Sequence, residues 1–312
     1  MPLSLSIVIV NWNSGEQLRE CLASLDTSSM RLPPGSALQQ VVVVDNGSTD
    51  GSSKGLALPC ARLSMIRNEG NRGFAAACNQ GAAGLDADLI LFLNPDTRLF
   101  DDSLALPLAH LAEPAHARTG IAGIQIIDEA GRVARSCARF PTVRHFACQA
   151  LAIDRLLPGL GHAMREWDHA DSRPVDQVIG AFFLIRRGLF EQLGGFDERF
   201  FVYFEEVDLS LRAHEAGWRS MYFADARAFH KGGGTSDQIK ARRLFYSLRS
   251  RLAFGRKHFG LARRGALLLV TLAVEPLSRL VHLGLSGRWA ELGHVVQAYA
   301  MLAGDRLWQR RQ

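Results

Sequence analysis

The sequence predicts an α/β fold: an open, mostly parallel sheet, with a further section appended to it and a helical C-terminal tail. Three observations carry this. Within the first hundred residues four short runs, SLSIVIV (Ser4–Val10), VVVV (Val41–Val44), LSMI (Leu63–Ile66) and LILFL (Leu89–Leu93), are apolar almost throughout instead of alternating, as strands covered on both faces are. Amphipathic stretches lie between them, among them Gly15–Leu25 and Phe74–Leu85, and alternation of strand with helix builds a parallel sheet. Each run also ends in polar residues: Asn11 and Asn13 after the first, Asp45 and Asn46 after the second, Arg67 and Asn68 after the third, Asn94 and Asp96 after the fourth. Ligands of such sheets lie beyond the carboxyl ends of the strands, so the four clusters predict a binding crevice.

After the second strand, DNGSTDG (Asp45–Gly51) collects residues that turn the chain and present backbone amides, suited to a phosphate or the edge of a nucleoside. Neither G-x-G-x-x-G nor G-x-x-x-x-G-K-[ST] occurs, so dinucleotide and P-loop readings lack their fingerprints. Beyond Asp96, GIAGIQIID (Gly120–Asp128), GRVARSCARF (Gly131–Phe140) and QVIGAFFLIRR (Gln177–Arg187) read as strands separated by longer pieces with Pro141 and Pro174 as punctuation. An antiparallel section appended to the first sheet is expected, its loops forming the far wall of the crevice. Trp167, Asp168 and His169 fall in the loop before Gln177 and are candidate substrate contacts, the alternative being an exposed loop without chemistry.

Glu205, Glu206 and Asp208 stand where an aromatic run gives way to apolar residues at helical spacing, Val207 and Leu211, and so occupy the first turn of a helix. Unpaired amides and the helix dipole are expected to keep them ionised. At roughly 100° per residue, Glu205 and Asp208 share a face that Glu206 leaves, and Arg212 follows Asp208 at ion-pair spacing. Glu206 is then the carboxylate free to look elsewhere; the plain alternative is a solvated acidic helix start. Past His230, KGGGTS (Lys231–Ser236) is a glycine-rich loop and candidate lid.

Charge divides the chain. Gln238 to Gln312 holds fourteen Lys and Arg against Glu275, Glu291 and Asp305, an excess of +11, and since the whole chain carries +5 the remainder carries −6. Arg242, Arg243, Arg249, Arg251, Arg256 and Lys257 are interleaved with Leu244, Phe245, Leu248, Leu252 and Phe254; such a stretch either lies on an anionic membrane or packs on the domain with a solvated basic face. The longest apolar run, Gly265–Val274, is stopped by Glu275 and Pro276, short of the ~20 residues of a membrane span. Five cysteines without a C-x-x-C pair indicate neither a disulfide framework nor a thiolate metal site, and the N-terminus lacks a secretory pattern. A cytoplasmic protein, peripheral on the inner face of the membrane, is expected.

Seven motifs stand in one order: IVIVNWN, VVVVDNGSTDGS, NEGNRGFAAACNQG, LFLNPDT, GAFFLIRR, GGFDERFFVYFEEVDLSLR and AFHKGGGTS. From Leu5 to about Gly260 the chain resembles the family-2 glycosyltransferases of GT-A fold, above all the bacterial rhamnosyltransferase-like branch that builds cell-surface polysaccharides. The resemblance implies a nucleoside-diphosphate sugar donor, a glycan or lipid-linked acceptor, a divalent cation (Mg or Mn) and no nucleic-acid partner. Asp45 would accept a hydrogen bond from the donor's pyrimidine, and Arg72 and Asn79 would line the nucleoside pocket, with Asn11, Asn13 and Asn94 also on the donor side. LNPD takes the place of the D-x-D metal motif, so Asp96 would bind the cation although Asn94 stands at the first acid; His230 would complete the metal site. Glu206 matches the catalytic base, and Glu205 departs from the commoner Glu-Asp pair. Trp167, Glu205 and Asp208 would position helix and acceptor. Residues 1–100 would form the nucleotide-sugar half, 101–237 the acceptor-binding and catalytic half, and 238–312 a basic amphipathic helical region.

The chemistry suits such residues. Sugar transfer to an alcohol needs a stabilised diphosphate leaving group, which a hard cation on a carboxylate supplies, and a base for the acceptor hydroxyl, worth about 10² to 10⁴ in rate. One base without a nucleophile implies single displacement with inversion, L-rhamnose from dTDP-L-rhamnose being the expected donor group. The rivals are a catalytically lost nucleotide-binding scaffold, for which Asn94 speaks; a transferase of another UDP-, dTDP- or GDP-sugar; a nucleotidyltransferase, whose glycine-rich basic signature NWNSGEQLRE does not resemble; and a processive synthase, whose Q-x-x-R-W signature fails because Leu285 precedes Arg288 and Trp289 at the glutamine position.

Overall fold

In the computed structural model, which describes residues 2–26, 30–57, 62–232 and 240–305, the four apolar runs are the parallel strands β1 (Ser4–Asn11), β2 (Ala37–Asp45), β3 (Arg62–Arg67) and β4 (Leu89–Leu93). Register sets their polar ends level: Asn11 lies opposite Asp45, and Asp45 opposite Arg67. The remaining strands are β5 (Thr97–Leu99), β6 (Thr119–Ile127), β7 (Val133–Ala134), β8 (Cys137–Ala138), β9 (Arg173–Val175), β10 (Gln177–Val178), β11 (Phe182–Arg186) and β12 (Arg219–His230). The main sheet runs β3-β2-β1-β4-β11-β6-β12-β5, with β7 on β6 and β9 on β12, while β8 and β10 form a separate ribbon.

The middle section is joined to the first sheet as its continuation and is antiparallel in all its pairings but one. β11 is antiparallel to β4 and to β6, whereas β6 and β12 pair parallel. The run QVIGAFFLIRR is also two strands, because β10 leaves to pair with β8 before β11 begins at Phe182.

Helices before the tail are α1 (Gln17–Ala23), α2 (Phe74–Ala82), α3 (Ala105–Ala112), α4 (Val143–Ala150), α5 (Ile153–Leu156), α6 (Arg187–Gln192) and α7 (Glu205–Glu215). Side chains alternate across a strand, so Leu5, Ile7 and Ile9 of β1 meet Leu18 and Leu22 of α1 and Leu108 of α3 on one face. Val8 and Val10 meet Ala77 and Cys78 of α2, Phe190 of α6 and Leu209 of α7 on the other. Both faces are covered, which is why these strands need apolar residues at every position.

The tail comprises α8 (Lys240–His258), α9 (Leu261–Leu269), a π-helical turn (Val270–Val274), α10 (Glu275–Leu285) and α11 (Leu292–Gly304). Leu248, Leu252 and Phe254 of α8 join Phe146 of α4, Phe200 of the segment ahead of α7 and Val207 of α7 in a third buried cluster. The apolar stripe of α8 thus faces protein, and Arg249, Arg251 and Lys257 are spent on ion pairs with Asp305, Glu275 and Asp197. Glu275 and Pro276 do not stop the next helix. Leu261–Leu285 is continuous over 25 residues and, among the described residues, is the one helix long and apolar enough to cross a membrane. The π turn precedes the proline, in the last turn before α10, and Arg251 and Arg279 neutralise the acid. Cys21, Cys78, Cys137 and Cys148 are buried free thiols. Most of the glycine-rich candidate lid, residues 233–236, lies outside the described residues.

Candidate active site

Beyond the ends of β1 and β2 the polar residues hold one another before they hold anything else. Asn11 is fully buried; its amide donates to Ser52 Oγ at 2.9 Å, Ser48 Oγ at 3.1 Å and Asp45 Oδ1 at 3.4 Å, while its carbonyl accepts from Ser14. Asp45 Oδ1 accepts the Ser48 amide at 3.1 Å and closes an Asx turn. Asn13 is left-handed at φ 50° and takes the Thr49 amide on Oδ1 at 2.8 Å. Gly47, at φ 79°, passes so close to the next loop that a Cβ would stand 2.7 Å from Gly70 Cα. Asn46 then gathers that loop, accepting from the Arg72 amide at 3.0 Å and donating to Gly73 O at 3.2 Å.

A cleft of about 890 Å³ opens at these strand ends, lined by Asn13, Thr49, Asp50, Asp96, Arg98 and Lys231 among others. Asp96 follows β4 and His230 ends β12, and the antiparallel pairing of His230 with Thr97 of β5 draws the two together. His230 Nε2 lies 3.1 Å from Asp96 Oδ1, with both side chains largely buried. No third His, Cys, Asp or Glu joins them among the described residues. One carboxylate oxygen and one imidazole nitrogen at a cleft wall fit a divalent cation whose other ligands come from a diphosphate and water.

The acidic helix start is built differently from the solvated one its composition suggests. Tyr203 and Phe204 precede it at φ 68° and 72°, a left-handed pair that costs about 1–3 kcal/mol per residue and is held from the tail. Ser250 Oγ donates to Val202 O at 2.8 Å, and Phe204 packs on Phe254. Asp208 is fully buried and answered by three side chains: Arg212 at 2.7 Å, Lys257 at 2.6 Å and His258 at 2.7 Å. Burial alone would raise its carboxyl, but hydrogen bonds from His258 and Lys257, with the Arg212 charge, bring it below the usual range. Glu205 and Glu206 have no such company. Each has a buried Oε2 without a partner among the described residues. Burial raises both, and the charge of Glu206 pushes Glu205 further. At this helix terminus desolvation works against the dipole and shifts both glutamates towards the protonated form.

Comparison with known proteins decides what these features belong to. The description of glycosyl transferase family 2 matches residues 6–194. The chain belongs to that family. An N-acetylglucosaminyl-diphospho-decaprenol L-rhamnosyltransferase of Mycobacterium tuberculosis is 31% identical over 72% of this chain and 75% of its own, and the rhamnosyltransferase WbbL of Escherichia coli is 32% identical over 46% and 53%. Among solved structures, a mannosyltransferase of Pyrobaculum calidifontis in complex with GDP-Man and Mn²⁺ aligns with TM-score 0.58 at 17% identity over 100% of this chain and 89% of that one. The S. aureus protein TarS in complex with UDP-GlcNAc aligns at 0.54 and 16%, over 95% and 79%. The protein is a glycosyltransferase enzyme of GT-A fold, acting on nucleotide sugars.

Within this family-2 glycosyltransferase the expected site residues do not all meet. The cleft brings Asn13 and Asp96 together, while Asn11 and Asp45 lie beneath it as its frame. Arg72 is exposed on the loop that Asn46 gathers. Asn94 is fastened by its backbone to Ala181 O at 3.2 Å. Asn79 lines a different hollow with Gly194 and Gly195, donating to Phe196 O at 2.8 Å and accepting from the Phe196 amide at 2.9 Å; it ties α2 to the segment ahead of α7. Trp167 is not in an exposed loop. Its indole is 7% exposed, stacked on His169 at 4.0 Å and donating to Asp171, so it is interior packing and not a wall of the cleft. Asp50, unremarked as a site residue, accepts from the Gly15 amide at 2.9 Å and Ser52 Oγ at 2.6 Å at the cleft edge; the last acid of DNGSTD is its signal. Arg98, over Phe229 at 4.1 Å and paired with Glu20, had none.

Proposed function

We propose that this enzyme transfers L-rhamnose from dTDP-L-rhamnose, in one inverting displacement, to a hydroxyl of a cell-surface or lipid-linked glycan. The observation that carries the reaction is the contrast at the start of α7, where Asp208 is triply paired and two glutamates keep unpartnered oxygens. Glu206 is the less buried of the two, and a carboxylate raised towards neutrality is better matched to taking a hydroxyl proton than an ordinary one. As the acceptor oxygen bonds to the anomeric carbon, its proton passes to Glu206 and the bond to the diphosphate breaks. Asp45 receives the pyrimidine, Asn13 and Arg72 flank the nucleoside, and Glu205 supports the base from beneath. Asp96 and His230 would hold Mg²⁺ or Mn²⁺, which when bound neutralises charge on the departing diphosphate. The donor follows the two relatives named for rhamnosyl transfer.

The test is a panel of dTDP-L-rhamnose, UDP- and GDP-sugars with a polyprenyl-diphosphate-linked N-acetylglucosamine acceptor, with and without chelator. Transfer from dTDP-L-rhamnose alone is expected, and transfer only from another nucleotide sugar overturns the donor. Asp96→Ala and His230→Ala should each stay folded by circular dichroism yet lose cation-dependent donor binding in calorimetry; parent-like activity of either in excess chelator removes the cation site. Donor binding without transfer from any sugar would leave the scaffold reading that Asn94 favours.

A further inference from the structure

We propose that the outward face of the Leu261–Leu285 helix seats the protein on an anionic bilayer without crossing it. One side of this helix belongs to the protein: Leu267, Val270, Thr271, Glu275 and Leu283 are buried. With one side packed on protein, only the other side is free to meet lipid, the arrangement of a helix lying in the plane of a surface. The other side is apolar as well. Leu269 and Leu272, and beyond the π-helical turn Leu277, Val281 and Leu285 at four-residue steps, are exposed, Leu277 by 63% and Leu285 by 85%.

Scattered exposed leucines are ordinary on a soluble protein, whereas a continuous row marks a contact surface. The row is lengthened sideways. Ser278 Oγ donates to Ala150 O, which brings the end of α4 and α5 alongside α10, and there Leu156 is 84% exposed and Leu157 56%. Outside this region and α11, Phe100, Leu106 and Val133 are the only large apolar side chains so exposed among the described residues.

Charge selects the occupant. The helix holds a single acid, Glu275, which is 4% exposed and paired with Arg251 and Arg279, so its outer face offers no carboxylate to repel an anionic headgroup. Arg263 and Arg264 bound the row at one end, and Trp289 at the other, beside Arg288, which is paired with Glu291. Trp289 lies against Gly284 with its ring 59% exposed, the amphipathic side chain favoured at the headgroup level. This surface is distinct from the basic stretch of α8, whose apolar side is already buried, and it does not depend on which sugar is transferred.

Vesicle sedimentation tests it on the full chain, with phosphatidylcholine alone and with phosphatidylglycerol added, at low and high ionic strength. The parent is expected to partition onto phosphatidylglycerol vesicles, less at high salt and less without the anionic lipid. Leu269→Glu, Leu277→Glu and Val281→Glu combined, all at exposed positions, should lower partitioning at least about tenfold while melting and nucleotide-sugar binding stay as in the parent. Trp289 emission, taken as the difference from Trp289→Phe, should shift to the blue on vesicles. The proposal fails if the parent stays in the supernatant at low ionic strength, or if the triple variant binds as the parent does. A parent dimer that the triple variant dissociates, without vesicle binding by either, assigns the face to a second copy instead.

Discussion

Three carboxylates within four residues of one another meet three different fates, and the difference lies in their company. Glu206→Gln keeps size and hydrogen bonds but cannot accept a proton, so turnover should fall by about 10² or more with donor affinity close to the parent; Glu205→Gln should lose less. Steady-state rates and calorimetric donor binding for both variants check this, and a dead Glu205→Gln beside an active Glu206→Gln would move the base to the other glutamate. Stability separates the acids again. In the folded state Glu205 holds its proton more tightly than in the unfolded chain, so the parent loses stability as pH rises above about 4.5, the ordinary glutamate value, through the raised one. Glu205→Gln has no charge to desolvate and should gain on the parent across that interval. Asp208 is depressed: its contribution is present above 3.8 and is lost as pH falls through the folded value. Asp208→Asn should therefore be less stable than the parent by about 3 kcal/mol at neutral pH, the gap narrowing in acid. Denaturant melts at several pH values read both slopes, and parallel pH profiles for parent and variants would contradict them.

Helix α7 owes its placement to α8. Lys257 reaches both Asp208 at 2.6 Å and Asp197 at 2.7 Å, joining the loop before α7 to its first turn. Lys257→Met should cost about 3 kcal/mol, the low end for breaking a buried pair, and should lower turnover more than donor affinity, because the donor side is framed by Asn11, Asp45 and Asn46 on other elements. Equal losses in both, measured by rates and donor titration, would make Lys257 a general stabiliser only. The ion pair of Asp208 with Arg212 was legible from spacing, since four residues along a helix are neighbours whatever the fold. The partners Lys257 and His258 were not, because they come from about fifty residues away. The first four strands were legible for the same local reason: uninterrupted apolar runs have few other uses. The parallel pairing of β6 with β12 was hidden, because it depends on crossovers that the intervening composition does not encode. Trp167 read as a loop residue and is core, since its ring stacks on His169 and meets Tyr222 of β12, a contact that the local sequence does not encode. The upward push on the two glutamates was not legible, because burial leaves no local mark in the sequence.

Across the whole molecule, the tail shares one interior with α4 and the start of α7. The third buried cluster mixes Leu248, Leu252 and Phe254 of α8, and Leu302 of α11, with Phe146, Phe200 and Val207. Tyr246 stacks on Phe201 at 4.8 Å, and the carbonyl of Phe201 receives the Phe74 amide at the start of α2, so contacts run from α8 through the loop ahead of α7 to the donor side of the sheet. A region bound in this way should not melt by itself. Calorimetry of the full chain should give one cooperative transition, with calorimetric and van't Hoff enthalpies agreeing, and Trp289 emission should change over the same temperature range as the far-ultraviolet signal. Ending the chain at residue 237 would uncover Phe146, Phe200 and Val207, strip Asp208 of Lys257 and His258, and release the left-handed Tyr203 and Phe204 from the helix that holds them. Fully burying one such side chain contributes about 1.5–3 kcal/mol, and losing several, together with two ion-pair partners, is comparable with a typical margin of about 5–15 kcal/mol. The shortened chain is therefore expected to be insoluble or to lack a cooperative melt. If it is soluble, melts cooperatively and binds nucleotide sugar as the parent does, the tail is an appended unit and the shared interior does not hold the catalytic helix.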